Sequence, residues 1–141
     1  MVFKNIVVGT DGSATASTAV VSAVDLAALC GAQLHIVTAY KPKSLAVSGG
    51  SEEFRYLSST DEADSLLAEV AARAKMSGVQ ARTHAGTKDA VDSILDVANQ
   101  VDADLVVVGN KGMKGARRVL GSIPNAISHQ ASCSVLIVDT T

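Results

Sequence analysis

The chain has 141 residues, of which 48% are hydrophobic but only 3% aromatic, and it contains no Trp. This length predicts one domain spanning residues 1–141, and a core of small aliphatic residues suits strands that are buried on both faces. Twelve Lys and Arg against 14 Asp and Glu give a net charge of −2, which argues against a nucleic-acid or membrane-surface binder. Two Cys, no signal peptide and no membrane-length apolar run predict a cytoplasmic protein with reduced thiols.

The first third of the chain predicts a strand, a helix and a second strand. The segment from Phe3 to Thr10 contains the apolar run Ile6-Val7-Val8, which ends at Gly9 and is typical of a buried strand. Ser13 is a candidate N-cap for a helix whose apolar residues recur every three or four positions. That helix is expected to stop near Gly31, and Leu34 to Tyr40 is the second predicted strand.

The rest of the chain continues this alternation after an irregular stretch at 41–59. The predicted elements are a helix ending at Gly78, an edge strand from Val79 to Ala85, a third helix, a buried strand from Leu105 to Val108 ending at Gly109, a helix from about Ile123 to Gln130 and a strand from Val135 to Val138. Alternating strands and helices predict an α/β fold. We expect one open, doubly wound, parallel five-stranded sheet of order 3-2-1-4-5 with helices on both faces.

Two strand ends carry residues suited to ligand binding. In an open α/β sheet, ligands bind beyond the carboxyl ends of the strands, where the strand order reverses. In the predicted order, the ends of the first and fourth strands flank that point. The first strand is followed by Gly-Thr-Asp-Gly-Ser at 9–13, and the fourth by Gly-Asn-Lys-Gly-Met-Lys-Gly at 109–115. The predicted cleft therefore has a carboxylate on one wall and glycine-rich backbone on the other.

The segment 109–121 is also locally basic. Four of the 12 basic residues lie between Lys111 and Arg118, in a stretch without an acidic residue. Glycines allow successive N–H groups to form an anion-binding nest, and Gly121-Ser122 precedes a helix whose N-terminus attracts phosphate. These features predict a phosphate-binding loop, the alternative being a solvated surface loop. The loop is neither a Walker A motif nor a Gly-x-Gly-x-x-Gly fingerprint.

Together these motifs resemble the universal stress protein family, in its ATP-binding subgroup. The resemblance rests on Ile-Val-Val-Gly-Thr-Asp-Gly-Ser at 6–13, and on Gly109-x2-Gly112 and Gly121-Ser122 after a Val-Val-Val-Gly strand. It extends over essentially the whole chain. ATP-binding members carry Gly-x2-Gly-x9-Gly-Ser/Thr, whereas here eight residues, Met113 to Leu120, separate Gly112 from Gly121.

The resemblance implies a regulatory or stress-response protein that binds an adenine nucleotide. The implied ligand is ATP, accompanied by Mg²⁺, with AMP or cyclic AMP as alternatives. Asp11 is expected against the ribose or adenine, and the backbone of Ala39 at the adenine edge. For Arg117 and Arg118, a phosphate contact and outward solvation both remain open. The residues expected to contact the nucleotide are Gly9, Thr10, Asp11, Ala39, Gly109, Asn110, Gly112, Met113, Gly115, Gly121, Ser122 and Ile123.

Several residues have competing roles. Asp11 can instead close an Asx turn, and Ser122 can accept a phosphoryl group or act as the N-cap of the following helix. His35, His84 and His129 fall on different elements without metal-ligand spacing, so no metal site is predicted. No catalytic triad or paired carboxylates are found, so no catalytic residue is predicted, and any ATP hydrolysis should be slow.

Two other function classes are alternatives to nucleotide binding. A phosphoacceptor receiver domain needs an Asp after the third strand, where this chain has His-Ala-Gly at 84–86. An interaction module with a vestigial pocket is the other alternative, because the last strand, Val135 to Val138, would lie at a sheet edge that invites pairing. The family resemblance implies a homodimer through this strand. The expected partners are therefore an adenine nucleotide and a second copy, without nucleic acid or membrane.

Overall fold

The computed structural model describes residues 2–40, 60–110 and 121–140. Within these residues, five strands and four helices alternate along the chain as predicted. Their bounds are β1 (Asn5–Gly9), α1 (Ala14–Cys30), β2 (Gln33–Ala39), α2 (Thr60–Met76), β3 (Ala81–Gly86), α3 (Ala90–Gln100), β4 (Leu105–Gly109), α4 (Ser122–Gln130) and β5 (Ser134–Val138). None of the helices in the described part of the chain is long and apolar enough to cross a membrane.

The strands form one parallel sheet in the order β3-β2-β1-β4-β5. The predicted fold class and strand order are therefore confirmed. The central strand β1 lies between β2 and β4, with Val7 opposite both His35 and Val106. The chain adds strands first on one side of β1 and then on the other, so the order reverses between β1 and β4. The edges of the sheet are β3 and β5.

The sheet has a hydrophobic core on each face, because successive residues of a strand point to opposite sides. Ile6 and Val8 of β1 enter the core under α1 and α2, whereas Val7 enters the core under α3 and α4. All three side chains are fully buried. Alanines on the inner face of α1 let that helix lie close to the sheet, which explains an aliphatic core with few aromatics. These alanines are Ala19, Ala23 and Ala27.

Both ends of α1 are capped by the residues that the sequence predicts. The Ser13 hydroxyl accepts a hydrogen bond from the Ala16 N–H at 3.2 Å, as expected of an N-cap. Gly31 ends the helix with φ of 65°, and its N–H donates to the Ala27 carbonyl. This is the left-handed closure that glycine favours, so both predicted caps are confirmed.

Some predicted bounds were wrong by one or two residues. The third strand begins at Ala81 rather than Val79, because the Val79 N–H donates to the Ala74 carbonyl of α2 and helps to close that helix. At the amino edge of the sheet, the Asp104 carboxylate accepts hydrogen bonds from the backbone N–H groups of Lys4 and Asn5. This contact ties the start of β1 to the start of β4.

Candidate functional site

The turn after β1 is held by hydrogen bonds to β2. Thr10 is buried, and its N–H donates to the Val37 carbonyl at 2.9 Å. Its carbonyl accepts from the Thr38 hydroxyl at 2.8 Å, and its own hydroxyl accepts from the Gly12 N–H at 3.1 Å. Gly12 has φ of 83°, a conformation that glycine adopts without strain. The segment that follows Gly9 is therefore a fixed turn at the carboxyl edge of the sheet.

The side chain of Asp11 is exposed at the surface of this turn. Its Oδ1 accepts a hydrogen bond from the Ser13 N–H at 2.9 Å, which is an Asx turn. The Asx turn, which is the alternative role of Asp11 indicated by the sequence, is therefore present. It is compatible with a ligand contact, since the same bond orients an exposed carboxylate at the mouth of the predicted cleft.

The end of β2 extends past the end of β1. Gly9, the last residue of β1, is in register with Val37, so Ala39 lies two residues further along its strand. Ala39 is half-buried and pairs with Gly86 of β3, whose carbonyl accepts from the Tyr40 N–H at 2.9 Å. The projecting end of β2 therefore forms a side wall next to the turn that carries Asp11.

On the other side of β1, Gly109 ends β4 and Asn110 follows it. Asn110 is only 2% exposed, and its side chain turns toward the C-terminal residues Asp139 and Thr140. No sequence pattern indicates this contact, because it joins segments about 30 residues apart. The predicted loop residues Gly112, Met113, Gly115, Lys111, Lys114, Arg117 and Arg118 lie outside the described residues.

The helix α4 begins at the same edge of the sheet. Its N-cap is Gly121, with φ of −62° and ψ of 163°, and Ser122 is its first residue. The possibility that Ser122 is the N-cap is therefore wrong, and the helix begins one residue before the predicted start at about Ile123. Glycine is an accepted N-cap, and the Gly121 carbonyl accepts the first helical bond, from the Asn125 N–H at 3.1 Å.

This N-terminus has the properties of an anion site. The first backbone N–H groups of a helix lack partners within the helix, and the helix dipole adds partial positive charge there. Glycine has no side chain with which to cap these groups. Ser122 and Ile123 are exposed, while Pro124 is buried and fixes the first turn to the body of the protein.

These features converge because all strands are parallel. The carboxyl ends of β1, β2 and β4 lie at one edge of the sheet, and α4 begins at that edge because it runs back against the strands. The described residues that the structure brings there are the turn with Asp11, the end of β2 with Ala39, the end of β4 and the start of α4. A carboxylate and a helix N-terminus at the same edge of the sheet suit a ligand with hydroxyl groups at one end and an anionic group at the other.

Two histidines that are distant in sequence meet between β2 and β3. The His35 Nδ1 and the His84 Nε2 are 3.1 Å apart, so one ring donates a hydrogen bond to the other. His35 is 4% exposed, and within the described residues its Nε2 has no hydrogen-bond partner. The sequence assigns these histidines to separate elements and does not predict that they meet. They meet because His84 is paired with Val37, two residues along β2 from His35.

Within the described part of the chain, no group of three or more His, Cys, Asp and Glu could hold a metal ion. His84 also lines a cavity of about 350 Å³ between β3 and α3.

Burial lowers the pKa of His35 from its ordinary value of 6.5, and the charges of His84 and Arg82 lower it further. The pKa of His84 is lowered by burial and by Arg82.

We expect the protein to lose stability as the pH falls below about 6.5. Both histidines resist protonation in the folded state, so the unfolded chain binds more protons and the free energy of unfolding decreases in this range. Denaturant unfolding at several pH values between 7.5 and 5.5 measures the effect. His84→Gln should flatten the dependence. Stability that does not change over this range would contradict the expectation.

The model of the universal stress protein family matches residues 2–139. The chain belongs to this family. A universal stress protein of Mycobacterium tuberculosis is 36% identical over an alignment 146 residues long. The alignment covers 99% of this chain and 98% of that protein. The family resemblance predicted from the motifs is thus confirmed.

Solved structures of universal stress proteins have the same fold. One, crystallised in complex with cAMP, is 33% identical with a TM-score of 0.79 and covers 100% of both chains. The universal stress protein of Archaeoglobus fulgidus in complex with dAMP is 24% identical with a TM-score of 0.70, over 97% of this chain and 98% of that one. The second comparison bears on the fold alone.

Proposed function

We propose that this universal stress protein binds an adenine nucleotide at the carboxyl edge of the sheet, and that nucleotide occupancy regulates its conformation or partner binding. The observation that carries the proposal is the glycine-capped N-terminus of α4, which begins at the same edge as the turn with the exposed Asp11. A ligand can regulate in this way only if it binds one conformation more tightly than another.

Each part of a nucleotide has a suitable neighbour in this arrangement. The phosphates lie at the backbone N–H groups of Gly121, Ser122 and Ile123, where the helix dipole favours negative charge. The Asp11 carboxylate accepts hydrogen bonds from ribose hydroxyls, and the backbone at Ala39 meets the adenine edge. The remaining proposed contacts come from residues at the strand ends and in the loop after β4. These residues are Gly9, Thr10, Gly109, Asn110, Gly112, Met113 and Gly115.

ATP is the proposed ligand, with Mg²⁺ held mainly by phosphate oxygens and water. Four cations between Lys111 and Arg118 support a ligand with several phosphates. Cyclic AMP is the second candidate. It is supported by the 33% identical relative crystallised with cAMP, and by the eight-residue spacing between Gly112 and Gly121, which is one residue shorter than the pattern of ATP-binding members.

Isothermal titration of the wild-type protein with ATP, ADP, AMP and cyclic AMP, each with and without Mg²⁺, tests the proposal. We expect saturable binding of at least one adenine nucleotide with a stoichiometry of one per chain. GTP is the matched control for recognition of the base and should bind more weakly. Failure of all four adenine nucleotides to bind at millimolar concentration would overturn the proposal.

We further propose that the chain forms a homodimer through β5. We also propose that it is one domain and acts in the cytoplasm. The strand β5 is an edge of the sheet, and Leu136 at its centre is 37% exposed. An edge strand with exposed aliphatic residues favours pairing with a second copy.

Sedimentation equilibrium should give a dimer for the wild type and a shift toward monomer for Leu136→Lys. Leu29→Lys is the matched control, because Leu29 is 84% exposed but lies on α1. A monomeric wild type, or a dimer that both variants leave intact, would contradict the proposed interface.

A further inference from the structure

The carbonyl of Thr10, at the start of the turn that carries Asp11, is held by a side chain of the neighbouring strand. Thr38 of β2 is only 2% exposed, and its hydroxyl donates to this carbonyl at 2.8 Å. Thr10 is itself buried, and a buried carbonyl without a hydrogen-bond partner is costly. The Thr38 hydroxyl therefore satisfies a backbone carbonyl at the point where the chain leaves β1.

This hydrogen bond fixes the orientation of the peptide group that joins Thr10 to Asp11. A peptide group is planar, so the direction of the Thr10 carbonyl also sets the direction of the Asp11 N–H. Beyond Asp11, the Ser13 N–H donates to the carboxylate. Gly12 lies against α2, since a Cβ atom on this glycine would be 3.5 Å from the Cδ1 and Cδ2 atoms of Leu66. The exposed carboxylate is thus carried by a backbone that is held on both sides.

The backbone of Thr38 is held independently of its hydroxyl. Thr38 is paired with Ala85 of β3, and the next residue of β2, Ala39, is paired with Gly86. Because this pairing uses backbone groups, loss of the hydroxyl should leave Ala39 in place and release only the peptide before Asp11. The effect of the Thr38 side chain is therefore expected at the carboxylate and not at the end of β2.

We propose that Thr38 is a positioning residue for recognition of the ribose. Its side chain is buried and does not contact the nucleotide. It holds the peptide between Thr10 and Asp11, so that the Asp11 carboxylate meets the ribose hydroxyls without a further ordering cost. This inference rests on the proposed nucleotide-binding function.

The experiment measures the affinity of full-chain variants for two nucleotides that differ only in the ribose hydroxyls. The two are ATP and 2′,3′-dideoxy-ATP, or cyclic AMP and 2′-deoxy cyclic AMP if the wild type binds cyclic AMP more tightly. Thr38→Val removes the hydroxyl and keeps the shape of the side chain, while Thr38→Ser keeps the hydroxyl. Asp104→Ala is the matched control, because it removes hydrogen bonds to the Lys4 and Asn5 N–H groups at the opposite edge of the sheet.

We expect Thr38→Val to raise the dissociation constant for ATP about fivefold. The dissociation constant for 2′,3′-dideoxy-ATP should change little, because this nucleotide offers no ribose hydroxyl to Asp11. Thr38→Ser should bind both nucleotides as the wild type does, although the loss of a buried methyl group lowers its melting temperature. Asp104→Ala should lower the melting temperature without changing either affinity. Titrations are made well below the melting temperatures, which are taken from calorimetry.

Three results would overturn the positioning role and leave the nucleotide site standing. Equal binding of ATP and 2′,3′-dideoxy-ATP by the wild type would show that the ribose hydroxyls are not recognised. Equal losses for both nucleotides in Thr38→Val would indicate a structural role alone. Unchanged ATP affinity in Thr38→Val would show that the hydroxyl does not act on binding. A wild-type protein that binds no adenine nucleotide would instead refute the proposed function and the positioning role together.

Discussion

Replacing Ser122 with proline is expected to weaken nucleotide binding about tenfold or more while α4 stays folded. The change removes a backbone N–H at the proposed phosphate site, and hydrogen bonds to charged groups contribute about 1.5–3 kcal/mol. Proline is favoured at the first position of a helix. The preceding residue, Gly121, already has a ψ of 163°, which suits a residue before proline.

The matched control is Ser122→Ala, which removes the hydroxyl but keeps the N–H. Titration of both variants separates a backbone contact from a side-chain contact, and far-ultraviolet circular dichroism checks that the fold is kept. If the proline variant binds as tightly as the wild type, α4 does not hold the phosphates. If the alanine variant loses as much affinity as the proline variant, the hydroxyl rather than the backbone is the main contact.

Replacing Ile127 with alanine is expected to cost about 3 kcal/mol of unfolding free energy. Ile127 is fully buried and belongs to the core under α3 and α4. It is one of only two buried residues of α4 among those described, the other being Pro124. A helix of nine residues is not stable on its own, so this side chain holds the proposed phosphate site against the sheet. Denaturant unfolding measures the loss, and nucleotide affinity should fall as well.

Two further substitutions define the expected scale of this effect. Ile127→Val removes one methylene and should cost about 1 kcal/mol. Ile123→Ala changes a neighbouring isoleucine that is 38% exposed, and it should cost little stability. A loss below about 1 kcal/mol for Ile127→Ala would show that α4 does not depend on this contact.

The parallel sheet could be predicted because its central strands are short, apolar and closed by glycine. Ile6 to Val8 and Leu105 to Val108 are continuous aliphatic runs, and both segments end at glycine. Such runs favour strands buried on both faces, and the alternation with helices requires a parallel sheet. The cap at Ser13 was predictable for a similar reason, since it depends on residues only three positions apart.

The contacts between distant segments could not be predicted. His35 and His84 meet because β2 and β3 pair in one particular register, and a shift by one residue would turn His84 to the other face. Asn110 meets Thr140 because β4 and β5 are neighbours that end at the same edge. The N-cap of α4 was missed for a local reason, because Gly121 and Ser122 are adjacent and both residue types occupy this position.

The position of the proposed nucleotide site is tested most directly by amide chemical-shift mapping of the isotope-labelled protein during a titration with ATP. We expect the largest saturable shifts at residues 9–11, at Ala39 and at residues 121–123, all at the carboxyl edge of the sheet. The amides of Lys4 and Asp104 at the opposite edge should change little. Saturable shifts confined to other residues, such as those lining the cavity between β3 and α3, or no shifts at all, would contradict the proposed site.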